Sequence, residues 1–268
     1  TPARRASFWS APTSPKAVAR PVLLAEATAT AASAAPHKVL KVGGYTPFTA
    51  TDYPGKLAAV VFVPGCPWRC GYCHNPHLQS RTTDSPVPWV AVLARLRRRV
   101  GLIDAVVFSG GEPTMDPGLE EAICAVRAMG FSVGLHTAGM YPQRLAAVLP
   151  LVDWVGMDIK ASAHGYDAIT GVAHSDAPAF ASAAQVLASG VAYEFRTTLH
   201  PTLQGPAQVR ALAQQLHAMG VRHYALQQFR STGCNDGALC SAASAVRLDA
   251  PLLAEMAVLF DTFSYRHD

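Results

Sequence analysis

From Val39 onward, short runs of β-branched and apolar residues alternate with stretches of helical periodicity. No other feature of the chain constrains its fold so strongly. Strands that alternate with helices pair in parallel, because each helix carries the chain back across the sheet. Candidate strands are 58–63, 105–108, 132–136, 154–159, 192–199 and 223–228, and candidate helices lie near 88–100, 117–129, 142–149, 178–189, 206–219 and 251–262. Pro117, Pro142, Pro178 and Pro206 stand at or near helix starts, where a missing N–H costs nothing. Gly101, Gly130, Gly190 and Gly220 follow helix ends, where a left-handed residue is wanted. Six βα units predict an α/β fold built as a partial (β/α)6, TIM-like barrel rather than a closed eight-unit one. In either case chemistry belongs at the C-terminal ends of the strands.

The first 38 residues read differently. They are rich in Ala, Pro, Ser and Thr, show no sustained periodicity, and are expected to form a disordered N-terminal extension, leaving 39–268 as the folded domain. Their Arg-rich, acid-poor character resembles a transit peptide, but a non-functional extension is the preferred reading. The chain's net charge of +4 resides in this stretch: five basic residues and Glu26 precede residue 39, and 17 basic residues balance 17 acidic ones after it. A neutral domain offers no footprint for nucleic acid. The cluster Arg95, Arg97, Arg98 and Arg99 closes a candidate helix, where cations meet the negative end of the dipole. One of the longest apolar runs, 57–63, is strand length, so no membrane span is expected and the domain is placed in the cytoplasm.

Six cysteines in 268 residues are too few for a disulfide scaffold, so spacing carries the information. Cys66, Cys70 and Cys73 form C-x3-C-x2-C on a loop leaving the first candidate strand. Thiolates at such spacing bind iron–sulfur clusters or zinc. Three cysteines leave one iron of a [4Fe–4S] cube without a protein ligand. Alternatively His77 completes a Cys3His zinc set; His74, adjacent to Cys73, is less suited. Taken alone, the loop does not separate the two. Cys124 lies mid-helix among apolar residues and reads as inert core. Cys234 and Cys240 lie in a Gly-containing loop and receive no assignment.

With Tyr72 just before the last cysteine, this loop resembles the signature of the radical S-adenosylmethionine (SAM) superfamily. A second signature, Ser109-Gly110-Gly111-Glu112-Pro113, follows the next candidate strand. Two glycines there allow the backbone to approach a ligand that a Cβ would exclude. In family members those main-chain groups meet the amino group of SAM. Asp52–Lys56, Cys73–Pro76, Asp158-Ile159-Lys160, Arg196 and Leu226–Arg230 extend the likeness over roughly residues 39–230. They resemble the activases of glycyl-radical enzymes, in particular the anaerobic ribonucleoside-triphosphate reductase activating proteins.

The resemblance implies a barrel of the radical SAM type, a [4Fe–4S] cluster on Cys66, Cys70 and Cys73, and SAM as cofactor. It implies SAM contacts from Tyr72, Ser109, Gly110, Gly111, Glu112, Thr137, Asp158, Lys160 and Arg196. Arg196 suits the carboxylate of SAM, and Asp158 and Glu112 its cations. Lys160 either pairs with Asp158 or reaches that carboxylate. Thr137 either bonds the ribose or simply ends its strand. Activases of this type often carry an acid before that threonine, helping to hold a monovalent cation; His136 stands here instead, either as a donor or as a satisfied core histidine.

Three functions follow. In the first, the reduced cluster cleaves SAM to a 5′-deoxyadenosyl radical that takes hydrogen from a glycine of a partner, an anaerobic ribonucleotide reductase. No general base is needed, and the cluster and SAM carry the hard chemistry. The electron comes from a separate flavodoxin- or ferredoxin-like donor, because no second cluster motif is visible. In the second, the same chemistry acts on a small molecule or peptide, as in 7-carboxy-7-deazaguanine synthases. That reading requires polar groups for the substrate, and the sequence shows no set beyond those assigned to SAM. In the third, the chain is a non-catalytic zinc module.

Overall fold

A computed structural model describes residues 38–82, 85–242 and 248–267. The expected extension over 1–38 lies outside the described residues, apart from Lys38. Among the described residues, eight strands form one sheet, ordered β1 to β8 along the chain. They are β1 (Gly44–Thr49), β2 (Ala58–Val63), β3 (Ala105–Gly110), β4 (Ser132–Thr137), β5 (Trp154–Asp158), β6 (Ala192–Leu199), β7 (His223–Gln228) and β8 (Thr262–Arg266). β2 to β8 run parallel, and β1 adds antiparallel to β2. The order is linear, so β8 does not pair with β1 and, among the described residues, the barrel stays open on that side.

The helices are α1 (Trp89–Arg97), α2 (Leu119–Arg127), α3 (Pro142–Val148), α4 (Ala163–Thr170), α5 (Asp176–Ser189), α6 (Pro206–Ala218), α7 (Gly237–Ala242) and α8 (Ala250–Leu259). All six expected strands and six expected helices are present. Pro142 and Pro206 open α3 and α6, and Gly130 and Gly190 lie just past α2 and α5 with φ of 90° and 72°. The sequence reading missed β1, α4, α7 and β8. The helix expected to reach residue 262 ends at Leu259, which frees Thr262–Arg266 to pair with β7.

Outward-facing strand residues such as Val61, Phe108, Leu135, Met157 and Phe195 pack under helix residues such as Leu96, Ile123, Leu145, Val186 and Leu212, all fully buried. Cys124 does not belong to that layer. Leu119, Ala122, Ile123 and Val126 mark the buried stripe of α2, and Cys124 lies off it, exposed to solvent. The expectation of an inert core cysteine is therefore corrected by the 100° turn between helix neighbours.

A second, smaller cluster fills the inside of the sheet at its lower end: Ala58, Val60, Ala105, Val107, Trp154 and Tyr53. Tyr53 comes from the β1–β2 connection and is only 6% exposed. Its ring lies 5.2 Å from that of Trp154, and Lys56 caps it at 5.2 Å while bonding Ser132 Oγ at 2.7 Å. Gly134 makes room for it, since a Cβ there would lie 3.0 Å from the Tyr53 ring. Tyr53 thus forms the floor on which the upper part of the lumen rests. Tyr53→Ala is expected to destabilise the domain by about 3 kcal/mol in a denaturant titration, as other buried aromatic truncations do, with Tyr53→Phe close to the parent. An unchanged midpoint in Tyr53→Ala would remove the floor from this description.

Candidate functional site

Above that floor the C-terminal strand ends surround a cavity of about 920 Å³. Of the twelve site residues expected from sequence, eleven line it: Cys66, Cys70, Tyr72, Cys73, Ser109, Gly110, Gly111, Thr137, Asp158, Lys160 and Arg196. Glu112 does not.

The cysteine loop leaves β2 and closes back on itself. Gly65 N–H donates to Leu78 O at 2.8 Å, Cys66 N–H to Gln79 O at 3.0 Å, and Cys73 N–H to Cys70 O at 3.1 Å. Its outer side is pinned by Arg69 N–H to Thr170 O at 2.7 Å and by buried Trp68 set edge-on to Tyr166 at 5.7 Å. Burial pushes the Cys66 thiol up to about 12 and raises that of Cys70. Thiols in such a place ionise readily only against a cationic metal group, which fits a metal–thiolate site. Among the described residues no three His, Cys, Asp or Glu side chains converge tightly enough to hold one metal ion, and His77 does not line the cavity. Each cysteine of a cubane binds a different iron and stands farther apart than the ligands of one zinc ion.

The second loop is bolted to the first. Gly111 N–H donates to Val63 O at 2.9 Å and Glu112 N–H to Gly65 O at 2.8 Å. A Cβ on Gly110, whose φ is 118°, would lie 2.6 Å from Val63 N and O. A Cβ on Gly111 would collide with the Gly65 carbonyl and lie 2.9 Å from Leu78 O. A side chain at either position is thus excluded by the chain's own backbone, a constraint additional to the ligand approach expected from sequence. The expectation for Glu112 is corrected. It is fully buried, and its carboxylate accepts from Thr114 N–H (3.1 Å), Thr114 Oγ1–H (2.5 Å), Thr137 Oγ1–H (2.7 Å) and Ala138 N–H (2.9 Å). Burial raises its pKa against those bonds. Glu112 ties the end of β3 to the end of β4 and does not face the cavity. The Thr137 hydroxyl gives its hydrogen to Glu112 and accepts from Gly139 N–H, which favours the strand-end reading over a ribose contact.

The opposite wall carries charge. Asp158 at the end of β5 meets Lys160 Nζ at 3.0 Å and Arg196 Nε at 3.2 Å. Burial opposes ionisation of Asp158, but the Lys160 ammonium and Arg196 guanidinium outweigh it and hold the carboxyl far below the usual carboxylate range. Lys160 is held well above its ordinary value, its Asp158 contact overcoming burial. Of the two readings of Lys160, the Asp158 pair is the one present; its ammonium also lies 5.7 Å over the ring of buried Tyr72. Arg196 further donates to Gly156 O at 3.2 Å, so its guanidinium sits in a local ion pair. Asp158 keeps 34% of its side chain exposed toward the cavity, leaving an acceptor face for a cation.

His136 stands between the two walls. Its Nε2 lies 2.8 Å from the carbonyl oxygen of Asp52, which only accepts, so Nε2 carries the hydrogen. Ser109 Oγ–H then donates to Nδ1 at 3.2 Å. Burial first, and Arg196 second, lower the pKa of His136 to about 3. His136 is thus neutral, with a partner on each ring nitrogen. Sequence reasoning did not single out Thr198 and Arg266, which also line the cavity, and it quoted Gln227 within the Leu226–Arg230 stretch without assigning it a place there. Thr198 and Gln227 were legible from strand alternation, because they pair in register and face inward with Arg196. Arg266 was not legible without β8.

Comparison with known proteins decides the family: residues 60–223 match the model of the Radical SAM superfamily. The chain belongs to that superfamily. A protein of Methanocaldococcus jannaschii named as a glycyl-radical enzyme activating enzyme is 27% identical over 208 residues, spanning 73% of this chain and 82% of its own. The pyruvate formate-lyase-activating enzyme of Clostridium pasteurianum is 30% identical over 192 residues, spanning 69% and 79%. The crystal structure of Streptococcus suis SuiB bound to S-adenosylmethionine superposes with a TM-score of 0.54 at 13% identity, covering 78% of this chain and 51% of that one, and so shares the fold. Radical SAM enzymes use a [4Fe–4S] cluster and SAM, and the cysteine loop and cavity of this chain suit both.

Two outcomes follow from this geometry. Gly111→Ala is expected to destabilise even the cofactor-free domain by about 2 kcal/mol, because rigid backbone rather than ligand blocks the new methyl. Equal melting of variant and parent would mean that the two loops are not in contact. For His136, the folded state prefers the neutral ring, so the unfolded chain binds the extra proton below pH 6.5. Stability is full above that pH and falls as pH drops toward 3, by about 2 kcal/mol at pH 5. Denaturation of the cofactor-free domain at pH 7 and pH 5 should show this extra loss in the parent and not in His136→Gln. An identical loss in both would place the proton elsewhere.

Proposed function

We propose that this chain is an activating enzyme for a glycyl-radical enzyme, and that its partner is an anaerobic ribonucleotide reductase. The observation that carries the reading is the unclosed side of the sheet. Thr51 and Asp52, just past β1, and Arg266, at the end of β8, all line the cavity, so it reaches the gap from both edges. A loop of a protein substrate can enter there without unfolding the barrel. The relatives named as activating enzymes support the same reading, since their likeness runs along most of this chain.

In this proposal Cys66, Cys70 and Cys73 hold three irons of the cluster. Asp158 presents its exposed carboxylate to the cationic end of SAM. Lys160 and Arg196 keep that carboxylate ionised and positioned, and reach the SAM carboxylate by exchanging partners within the same network. Bound cluster and SAM supply one-electron reductive cleavage of the sulfonium C–S bond. Trp68, Tyr72 and Met140 close the cavity wall against water. The electron is assigned to a separate flavodoxin- or ferredoxin-like donor, in keeping with a sequence that carries a single cluster motif.

A small-molecule substrate is the second reading, and one observation favours it. Thr198 and Arg266, together with Gln227, supply polar groups beyond those assigned to SAM. The test is anaerobic mixing of reduced protein, SAM and the reductase, followed by electron paramagnetic resonance. A glycyl doublet is expected, absent when the reductase's radical glycine is replaced by alanine and absent with Cys70→Ala. SAM cleavage without the doublet, accompanied by turnover of a small molecule, would transfer the assignment to the second reading.

A further inference from the structure

The segment after β7 folds over the outside of the cysteine loop and carries two thiols there. Phe229 stacks on His74 at 5.7 Å, and His74 Nε2–H donates to Arg230 O at 3.0 Å. Gly233, with φ of 86°, packs against the His74 backbone, where any side chain would collide. Farther along, Leu239 and Asp236 press on Gly71, which lies between Cys70 and Cys73; a Cβ on Gly71 would lie 3.1 Å and 3.4 Å from them. Leu239 O is held in turn by His200 Nε2–H at 2.9 Å. The cysteine loop is thus supported at two points, Gly71 and His74, by a single short stretch of chain.

Cys234 and Cys240 lie within that stretch. Cys234 Sγ–H donates to Gly71 O at 3.4 Å, and Cys234 Sγ accepts from Asp236 N–H at 3.4 Å. Cys240 is brought back by the turn into α7, where its N–H bonds Asp236 O at 2.9 Å. Its Sγ lies 3.7 Å from Cys234 O and 3.9 Å from Ser231 O. Cys240 Sγ is thus held against the Cys234 residue itself; desolvation first, and Cys234 second, raise the pKa of Cys240. Both side chains are partly exposed. Buried structural cysteines are inert, whereas these two are within reach of a dissolved disulfide.

We propose that Cys234 and Cys240 form a reversible dithiol–disulfide site, reduced when it supports the cysteine loop and able to be oxidised by a low-molecular-weight disulfide such as oxidised glutathione. The thiolate of Cys234 attacks the glutathione disulfide and releases one glutathione. The thiolate of Cys240 then attacks the Cys234 sulfur of the mixed disulfide and releases the second. One protein S–S bond forms, one glutathione S–S bond breaks, and the two protons and two electrons of the thiols end on two glutathione molecules. In the disulfide, the Cys234 hydrogen bond to Gly71 O is lost, because the sulfur no longer carries a hydrogen. The site therefore couples the thiol redox state of the surroundings to the support beneath the cluster ligands. It does not depend on which substrate the enzyme takes.

The sequence makes the test direct, since trypsin cutting after Arg230 and Arg247 places both cysteines in one peptide, 231–247. The reconstituted full-length protein is equilibrated anaerobically with oxidised or reduced glutathione, alkylated and digested. With oxidised glutathione this peptide should appear unalkylated and about 2 Da lighter, the mass of two hydrogens. With reduced glutathione it should carry two alkyl groups. Cys240→Ser should stop at the mixed disulfide on Cys234. Two alkylated thiols under both conditions, or separate glutathione adducts on both cysteines of the parent, would overturn the site. Transfer of iron to a chelator is then followed in the two redox forms. Release about threefold or more faster from the oxidised form, and equal release in Cys234→Ser, is expected from the lost contact at Gly71. Equal release from both forms of the parent would overturn the coupling to the cluster loop.

Discussion

Two backbone hydrogen bonds hold the site together: Gly111 N–H to Val63 O and Glu112 N–H to Gly65 O. They lock the loop that follows β3 onto the loop that follows β2, at a separation that admits no side chain on Gly110 or Gly111. The three cysteines are carried by the first loop, and Glu112 anchors the second to the end of β4 through two of the four bonds it accepts, from Thr137 and Ala138. Each motif therefore gives the other its shape. Loss of this contact would release the cysteine loop even though every cysteine remained in place.

On the far side of the cavity, position is set by charge. Asp158, Lys160 and Arg196 come from two adjacent strand ends, and register brings Asp158 opposite Arg196. Taking three ionised groups from water into a partly enclosed wall is costly unless each finds partners. Here the carboxylate has two cations, and one of them also reaches a backbone carbonyl. The neutral His136 fits this balance, since a further positive charge beside Arg196 would be unfavourable. Its hydrogen bond to Asp52 O joins the charged wall to the connection that carries Tyr53, so floor and wall are continuous.

The parallel strands were legible because β-branched runs and the Pro and Gly punctuation agree at each unit. The three cysteines and the Gly-Gly pair were legible from spacing. What stayed hidden has physical reasons. β8 is preceded by an apolar stretch that continues the helical pattern through Phe260, with no glycine to mark the end of α8. β1 contains Pro47 and an irregular register with β2, which blurs its alternation. Cys124 was misplaced because an apolar neighbourhood in sequence says little about which side of a helix a residue faces. Glu112 was read as a ligand group because a motif names residue types without saying where their side chains point. The partners of His136 come from residues 52 and 109, too distant along the chain for any local pattern to disclose.

The sheet that never closes has one further consequence. In a complete barrel, closure fixes the twist, because the last strand must return to the first. Here seven junctions between neighbouring strands are free of that condition, and a small change of twist at each one accumulates along the sheet. The width of the opening is then a property of the sheet's curvature as a whole. Something seated between the two free edges acts as a wedge, and its fit is transmitted to the strand ends that carry the cavity. The aperture can be tuned by residues far from it, through the hand and pitch of the strands alone.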